Sequence, residues 1–201
     1  MAVAPTAAFT GICTTLSTAY SLIYILGDST RVTEATATEE REGKKFWKRD
    51  FLDRIKSDQG HSETGTPRDK IKKAYERYGC RCGDEVRLAS VGTAAAWKKQ
   101  LADQLAIPAN GHFIIDYPGA DGTPAAHDMH IDGINDDGVL GVADTGIQGG
   151  GTGDDVPVVA GQLEWDVTDS PTGPQVKAKG GGYWGSRNVT AASFICCTCP
   201  Q

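Results

Sequence analysis

A cysteine at the start of an apolar helix is the residue in this chain whose position is most suggestive of chemistry. Cys13 opens a segment whose apolar residues recur at helical spacing, and Gly27 is a predicted end of that helix. In the first turn of a helix, unpaired backbone N–H groups and the helix dipole stabilise a thiolate, the nucleophilic form of cysteine. The alternative is that Cys13 is a small apolar residue of the core.

Histidine and aspartate partners for Cys13 must lie far downstream, and a predicted hairpin supplies them. Residues 135–138, Asn-Asp-Asp-Gly, form a strong turn signal between two alternating runs. Whether Ile134 or Asp136 pairs with Val139 in this hairpin, Asp144 projects from the same face as His127 and from the opposite face to His130. The sequence therefore favours His127 as the partner of Asp144, although one β-bulge would reverse that choice.

These three residue types together can hydrolyse an amide bond. A thiolate attacks the carbonyl, an imidazole takes the thiol proton and later gives it to the leaving amine, and a carboxylate fixes the tautomer and orientation of the imidazole. The pattern thus predicts Cys13 as nucleophile, His127 as general base and Asp144 as orienting residue.

Other assignments stay open at this level. His112 or His130 can replace His127 as the base, and Asp128 or Asp132 can replace Asp144 as the acid. A non-catalytic module is a further alternative, in which the acidic run at 128–137 binds Ca²⁺ or the cysteines bind a metal, although that run does not match the spacing of a calcium loop.

The elements that must position these residues divide the chain into a helical half and a β-rich half. Before Pro108, apolar spacing predicts helices at 13–27, 44–57, 68–78 and 93–108, and a solvated loop at 28–43. After Pro108 the period falls to about two, which predicts strands at 111–117, 127–134, 138–144, 156–160, 163–167 and 189–195. This order predicts one α+β domain spanning residues 1–201, with an antiparallel sheet.

The other cysteines occur in two tight clusters. Five of the six cysteines lie in Cys80-Arg-Cys82 and in Cys196-Cys197-Thr-Cys199, which leaves Cys13 alone. Two disulfides between the clusters would leave one thiol over. The patterns Cys-x-Cys and Cys-Cys-x-Cys are not the pair of Cys-x-x-Cys motifs typical of zinc sites, so we predict disulfides and an oxidising destination, and no metal or cofactor.

Charge and hydropathy exclude some partners. A net charge of −6 gives no reason to expect a nucleic-acid partner. Residues 1–26 carry no charge, yet they lack the cationic start of a signal peptide and are too weakly apolar for stable membrane insertion. We therefore interpret this segment as containing a buried core helix.

The order of these motifs resembles the bacterial papain-like cysteine peptidases, and most closely the bacteriocin-leader-processing peptidases and related secreted effector proteases. The resemblance rests on Gly11-Ile12-Cys13, on the helix from Trp97 to Leu105, on the strand at 111–115, on His127-x-Met129-x-Ile131-x-Gly133-Ile134 and on Val142-Ala143-Asp144. In those enzymes a cysteine begins a helix, a histidine begins a strand and an aspartate ends the next strand.

The resemblance implies a papain-like fold and a Cys13, His127 and Asp144 triad acting on a protein, a peptide or peptidoglycan. It also implies an exported effector without a cleavable signal peptide, and a cognate inhibitor or immunity protein as partner. One departure concerns the oxyanion. The family places a Gln shortly before the nucleophile, and because residues 1–12 contain none, the backbone N–H of Cys13 and the hydroxyl of Thr10 would have to bind the oxyanion.

A second resemblance is to the peptidoglycan amidases delivered by type VI secretion. Their catalytic strand carries a Gly-His-x-Asp motif, which His130-Ile131-Asp132-Gly133 partly matches. That resemblance implies His130 as the base.

Overall fold

The structure is a computed structural model that describes residues 12–62, 65–105, 109–119, 121–145, 156–180 and 183–200. The predicted α+β class is confirmed, because the helices lie in the first half of the chain and an antiparallel sheet dominates the second. Within these residues, no helix combines the length and the apolar character that crossing a bilayer requires.

All of the helices described here lie before Pro108. Their bounds are α1 Cys13–Tyr20, α2 Gly27–Thr30, α3 Glu34–Ala37, α4 Arg49–Asp58, α5 Ile71–Glu76, α6 Leu88–Val91 and α7 Ala94–Leu105. A π-helical turn at Ser21–Ile25 continues α1. Gly27 begins α2 rather than ending one long helix, so that predicted boundary is wrong.

The predicted loop at 28–43 is also wrong, because much of it is ordered secondary structure. A capping box between Thr33 and Thr36 starts α3, and strand β1 Thr38–Arg41 follows it and pairs with β2 Lys44–Trp47. Both residues between the two strands, Glu42 and Gly43, have positive φ, as tight hairpin turns require. The predicted helix at 44–57 consequently begins only after this hairpin.

The main sheet contains the remaining strands, and every pairing in it is antiparallel. The strands are β3 Arg81–Cys82, β4 Val86–Arg87, β5 Ala109–Pro118, β6 Pro124–Ile134, β7 Leu140–Asp144, β8 Gly161–Ser170, β9 Gly173–Ala178 and β10 Ala191–Thr198. Their order is β3-β10-β5-β6-β7-β8-β9, and β4 also pairs with β10.

Two of the strand predictions need correction. The predicted strand at 156–160 contributes only an isolated bridge between Pro157 and Phe46, which is flanked by backbone hydrogen bonds of Val156 and Val158 to strand β2. Strand β9 was not predicted, and it pairs with β8 around a turn that ends at Gly173.

Side chains from alternate positions of the sheet enter two separate cores. Ile114 and Ile195 pack with helices α1, α4 and α5. Their chain neighbours Phe113 and Phe194 pack instead with Trp97 of helix α7. Because successive strand residues point to opposite faces, helices cover both faces of this sheet.

Two disulfides join the cysteine clusters, as the sequence predicts. Cys80 bonds to Cys199 and Cys82 bonds to Cys197, with sequence separations of 119 and 115 residues. Cys196 is the thiol left over. The bridges tie strand β10 and the residue after it to the middle of the sequence. Closing loops of this length stabilises the fold, because it removes conformational freedom from the unfolded chain.

Candidate active site

Cys13 is the first residue of helix α1, as predicted. No side chain caps this end, since the residue before it, Ile12, makes no capping hydrogen bond, and the first intrahelical bond joins the Leu16 N–H to the Ile12 carbonyl. The Cys13 side chain is partly exposed, whereas the rest of the helix is mostly buried. The thiol therefore lies beside the N-terminal N–H groups of α1, at a position that solvent can reach.

His127 lies between Cys13 and Asp144. It follows the start of strand β6, and its Nε2 atom is 2.9 Å from Oδ1 of Asp144. The Cys13 side chain lies close enough to the same imidazole to influence its charge.

The charges around His127 favour its protonated form. Burial by itself lowers the pKa of an imidazole, but the negative charges of Asp144 and Cys13 outweigh it and raise the pKa of His127 well above its usual value. An imidazolium beside a thiolate is the ion pair that cysteine hydrolases use for attack.

Asp144 ends strand β7 and is held by two groups. Its Oδ1 atom pairs with His127, and its Oδ2 atom accepts a hydrogen bond of 2.9 Å from Nε1 of Trp184. The Trp184 ring also packs on the imidazole, with 4.9 Å between the ring centroids. Trp184 thus orients the carboxylate and shields its bond to His127 from water.

The sequence analysis missed Trp184. This residue follows a glycine-rich stretch and is 40 positions from Asp144, so no periodicity connects the two. The only signal available was a tryptophan in a segment without strand or helix character.

A β-bulge sets the register that joins His127 to Asp144. At the turn Ile134 pairs with Leu140, not with Val139 as one predicted register requires. The register then shifts between Ile131 and Gly133, so that His130 lies opposite Ala143. The bulge offsets the one-residue shift of the pairing at the turn. His127 and Asp144 therefore still project from the same face of the hairpin.

His112, one alternative base, belongs to a different network. Its Nδ1 atom is 3.0 Å from both carboxylate oxygens of Asp128 and 3.3 Å from Oγ of Ser17. Its Nε2 atom is 2.6 Å from the Tyr75 hydroxyl. All four of these side chains are fully or almost fully buried, so substrate has no access to this imidazole.

His130, the base implied by the amidase resemblance, also lies apart from the thiol. Its side chain is buried, its Nε2 atom is 3.2 Å from Oδ1 of Asp132, and its ring packs near Tyr20. The imidazole that interacts with Cys13 is His127. Thr10, named above as an oxyanion donor, lies outside the described residues.

The structure gives no support to a metal site. Four of the cysteines are in disulfides, and in the described part of the chain no three His, Cys, Asp or Glu side chains are grouped as metal ligands. An open groove of about 710 Å³ is lined by eleven residues, of which five are cationic and two acidic, and the triad residues are not among them. The cationic residues of this groove are Arg31, Arg41, Lys48, Arg49 and Arg54.

Comparison with protein-family models, with curated proteins and with solved structures finds no match to this chain. The arrangement around Cys13 must therefore be interpreted from its own geometry. The structure brings Cys13, His127 and Asp144 together, and their catalytic roles stay a prediction.

Proposed function

We propose that the protein is a papain-like cysteine hydrolase that cleaves a peptide or amide bond with Cys13, His127 and Asp144. The observation that carries the proposal is the position of His127, whose Nε2 pairs with a buried carboxylate while the imidazole also interacts with a partly exposed thiol at a helix start. This arrangement supplies a nucleophile, a proton carrier and an orienting group in one contiguous chain of contacts.

The chemistry follows from these contacts. The Cys13 thiolate attacks the carbonyl carbon, and the N–H groups at the start of α1 stabilise the negative oxygen that forms. His127 then gives its proton to the leaving amine, and the C–N bond breaks as a thioester remains on Cys13. Water, deprotonated by His127, attacks the thioester and releases the acid and the free thiol.

The other thiols are unsuited to this role. Cys80, Cys82, Cys197 and Cys199 form disulfides. Cys196 is free but buried, and burial raises the pKa of its thiol to about 12. A nucleophilic cysteine needs a thiolate near neutral pH, which leaves Cys13.

The substrate and setting are part of the proposal. Disulfides persist in oxidising compartments, which supports an exported protein acting on a protein, a peptide or the peptide stems of peptidoglycan. Peptidoglycan cleavage would proceed through the same triad, with His127 as base in place of His130.

A cleavage assay tests this function. Wild type is incubated separately with a mixed peptide library and with purified peptidoglycan, and newly formed amino groups are labelled and identified by mass spectrometry. We expect new amino groups with wild type and with a Cys196→Ala control, and none with Cys13→Ala. Cleavage that persists in Cys13→Ala contradicts the proposal, and the substrate that is cleaved distinguishes a peptidase from a peptidoglycan amidase.

A further inference from the structure

An aromatic cluster adjoins the candidate site at Trp184. The Trp184 ring, which packs on His127, is 5.2 Å from the ring of Tyr117 and 4.8 Å from the ring of Tyr183, both in edge-on geometry. Tyr117 comes from strand β5, and Tyr183 precedes Trp184 in the chain. The three aromatic rings therefore form one wall that is continuous with the triad.

Arg187 is held against this wall. Its guanidinium carbon lies 4.3 Å from the centroid of the Tyr183 ring and 5.8 Å from that of Tyr117. Its backbone N–H bonds to the Trp184 carbonyl at 3.1 Å, which fixes the turn that carries it. Two aromatic faces and a closed turn restrict the side chain before any ligand binds.

Arg187 has no carboxylate partner among the residues that the structure describes. By contrast, Arg68 pairs with Glu85 and Asp116, and Arg77 pairs with Asp58. In a chain with net charge −6, a positioned and only partly exposed guanidinium without an acidic partner is available for an external anion.

The charge of Arg187 acts in the same region as that of Cys13. Burial raises the pKa of the Tyr117 hydroxyl to about 12, the negative charge of Cys13 acts in the same direction, and Arg187 opposes it. One hydroxyl thus lies within electrostatic reach of both groups.

We propose that Arg187 binds a carboxylate of the substrate next to the scissile bond, so that the enzyme prefers acidic peptides. Stacking uses the faces of the guanidinium and leaves its in-plane N–H groups, whose geometry matches a planar carboxylate. The carboxylate comes from an acidic side chain or from a free C-terminus. The inference rests on the proposed function, since it assigns specificity to the same site.

Two alkylating reagents of similar size test the charge at the site. Iodoacetate is anionic and iodoacetamide is neutral, and the ratio of their rates at Cys13, followed by mass spectrometry, reports the local potential. We expect Arg187→Gln to lower this ratio roughly threefold, as for a partly exposed charge pair, and Arg187→Lys to lower it less. His127 contributes equally in all variants, so the change isolates Arg187.

Arg49→Gln is the matched control for the loss of one positive charge. Arg49 begins helix α4, whereas the opposite end of that helix contacts α1 through Gln59. We expect this control to leave the ratio unchanged. A ratio in Arg187→Gln equal to that of wild type overturns the assignment of Arg187 while the triad stands. A folded wild type whose Cys13 reacts with neither reagent overturns the proposed function itself.

Protection of wild-type Cys13 by short peptides tests the same inference without any variant. The probes are acetyl-Ala-Glu-Ala-amide, acetyl-Ala-Gln-Ala with a free C-terminus, and acetyl-Ala-Gln-Ala-amide as the uncharged control. We expect at least one acidic peptide to slow alkylation by iodoacetamide more than the control does, and the stronger one identifies the source of the carboxylate. Equal protection by all three peptides contradicts the proposal.

Discussion

Helix α1 presents two polar side chains one turn apart, and each meets a histidine on the neighbouring sheet. Cys13 contacts His127 on strand β6, and Ser17 contacts His112 on strand β5. Each histidine is also paired with an aspartate at about the same distance, 2.9 Å in one case and 3.0 Å in the other. By residue type alone, both groups resemble a catalytic triad.

The two groups differ in what surrounds the imidazole. His112 is completely buried, and both of its ring nitrogens have partners within the core, including the Tyr75 hydroxyl. His127 retains slight exposure, at 8%, and the thiol beside it is partly exposed. A nucleophile must be reachable by substrate, so access separates a candidate catalytic group from a group that holds the core together.

Removing the two histidines should destabilise the protein to different extents, and this is the largest difference that we expect. His112→Ala removes the imidazole that pairs with the buried carboxylate of Asp128, so unfolding free energy should fall by about 3 to 5 kcal/mol. His127→Ala leaves Asp144 with its hydrogen bond from Trp184, and should cost about 1 to 2 kcal/mol. Urea denaturation measures both, and equal losses would remove the distinction between the two groups.

Trp184→Phe tests whether the hydrogen bond from Trp184 to Asp144 orients the candidate site. The variant keeps an aromatic ring but loses the N–H donated to Asp144, so it should be less stable than wild type by about 1.5 kcal/mol and alkylate more slowly at Cys13. Trp165→Phe is the matched control, because Trp165 is fully buried and its Nε1 atom has no hydrogen-bond partner among the described residues. If the two variants have the same alkylation rate at Cys13, the hydrogen bond from Trp184 to Asp144 does not orient the site.

Protonation of His127 should make a smaller contribution to stability, which is measured as a pH dependence of the unfolding free energy. Its pKa is raised on folding, so the folded protein holds this proton more tightly than the unfolded chain does. The resulting stabilisation is fully present below the unfolded value of about 6.5 and is lost as pH rises through the folded pKa. The stability difference between wild type and His127→Gln, measured by urea denaturation from about pH 5 to pH 8, should therefore shrink as pH rises. A difference that grows would show that His127 is neutral in the fold.

Ser17→Ala should have the smallest effect. The hydrogen bond from Ser17 to His112 is long, at 3.3 Å, and Asp128 still pairs with the same nitrogen. We expect a loss below about 1 kcal/mol and no change in the alkylation rate of Cys13. A large fall in that rate would show that the two groups are coupled through helix α1.

Local patterns predicted what depends on local geometry. The change of period at Pro108 gave the α+β class, helical spacing placed Cys13 at a helix start, and the turn at 135–138 placed His127 and Asp144 on one face of a hairpin. Each of these inferences needs only residues that are close in sequence.

Contacts between distant segments were not predictable in the same way. Trp184 reaches Asp144 from the connection between strands β9 and β10, and Tyr75 reaches His112 from helix α5, so neither is signalled by spacing. The burial that separates His112 from His127 is likewise a property of the packed structure. Sequence alone therefore left three histidines as alternatives.

Alkylation of Cys13 by iodoacetamide between about pH 4 and pH 9, located by mass spectrometry, tests the central claim most directly. Wild type is compared with His127→Ala and with His130→Ala. We expect Cys13 to react below about pH 7 in wild type and in His130→Ala, and to behave as an ordinary thiol in His127→Ala. A Cys13 that stays inert in the folded wild type, or that is indifferent to the loss of His127, would contradict the account.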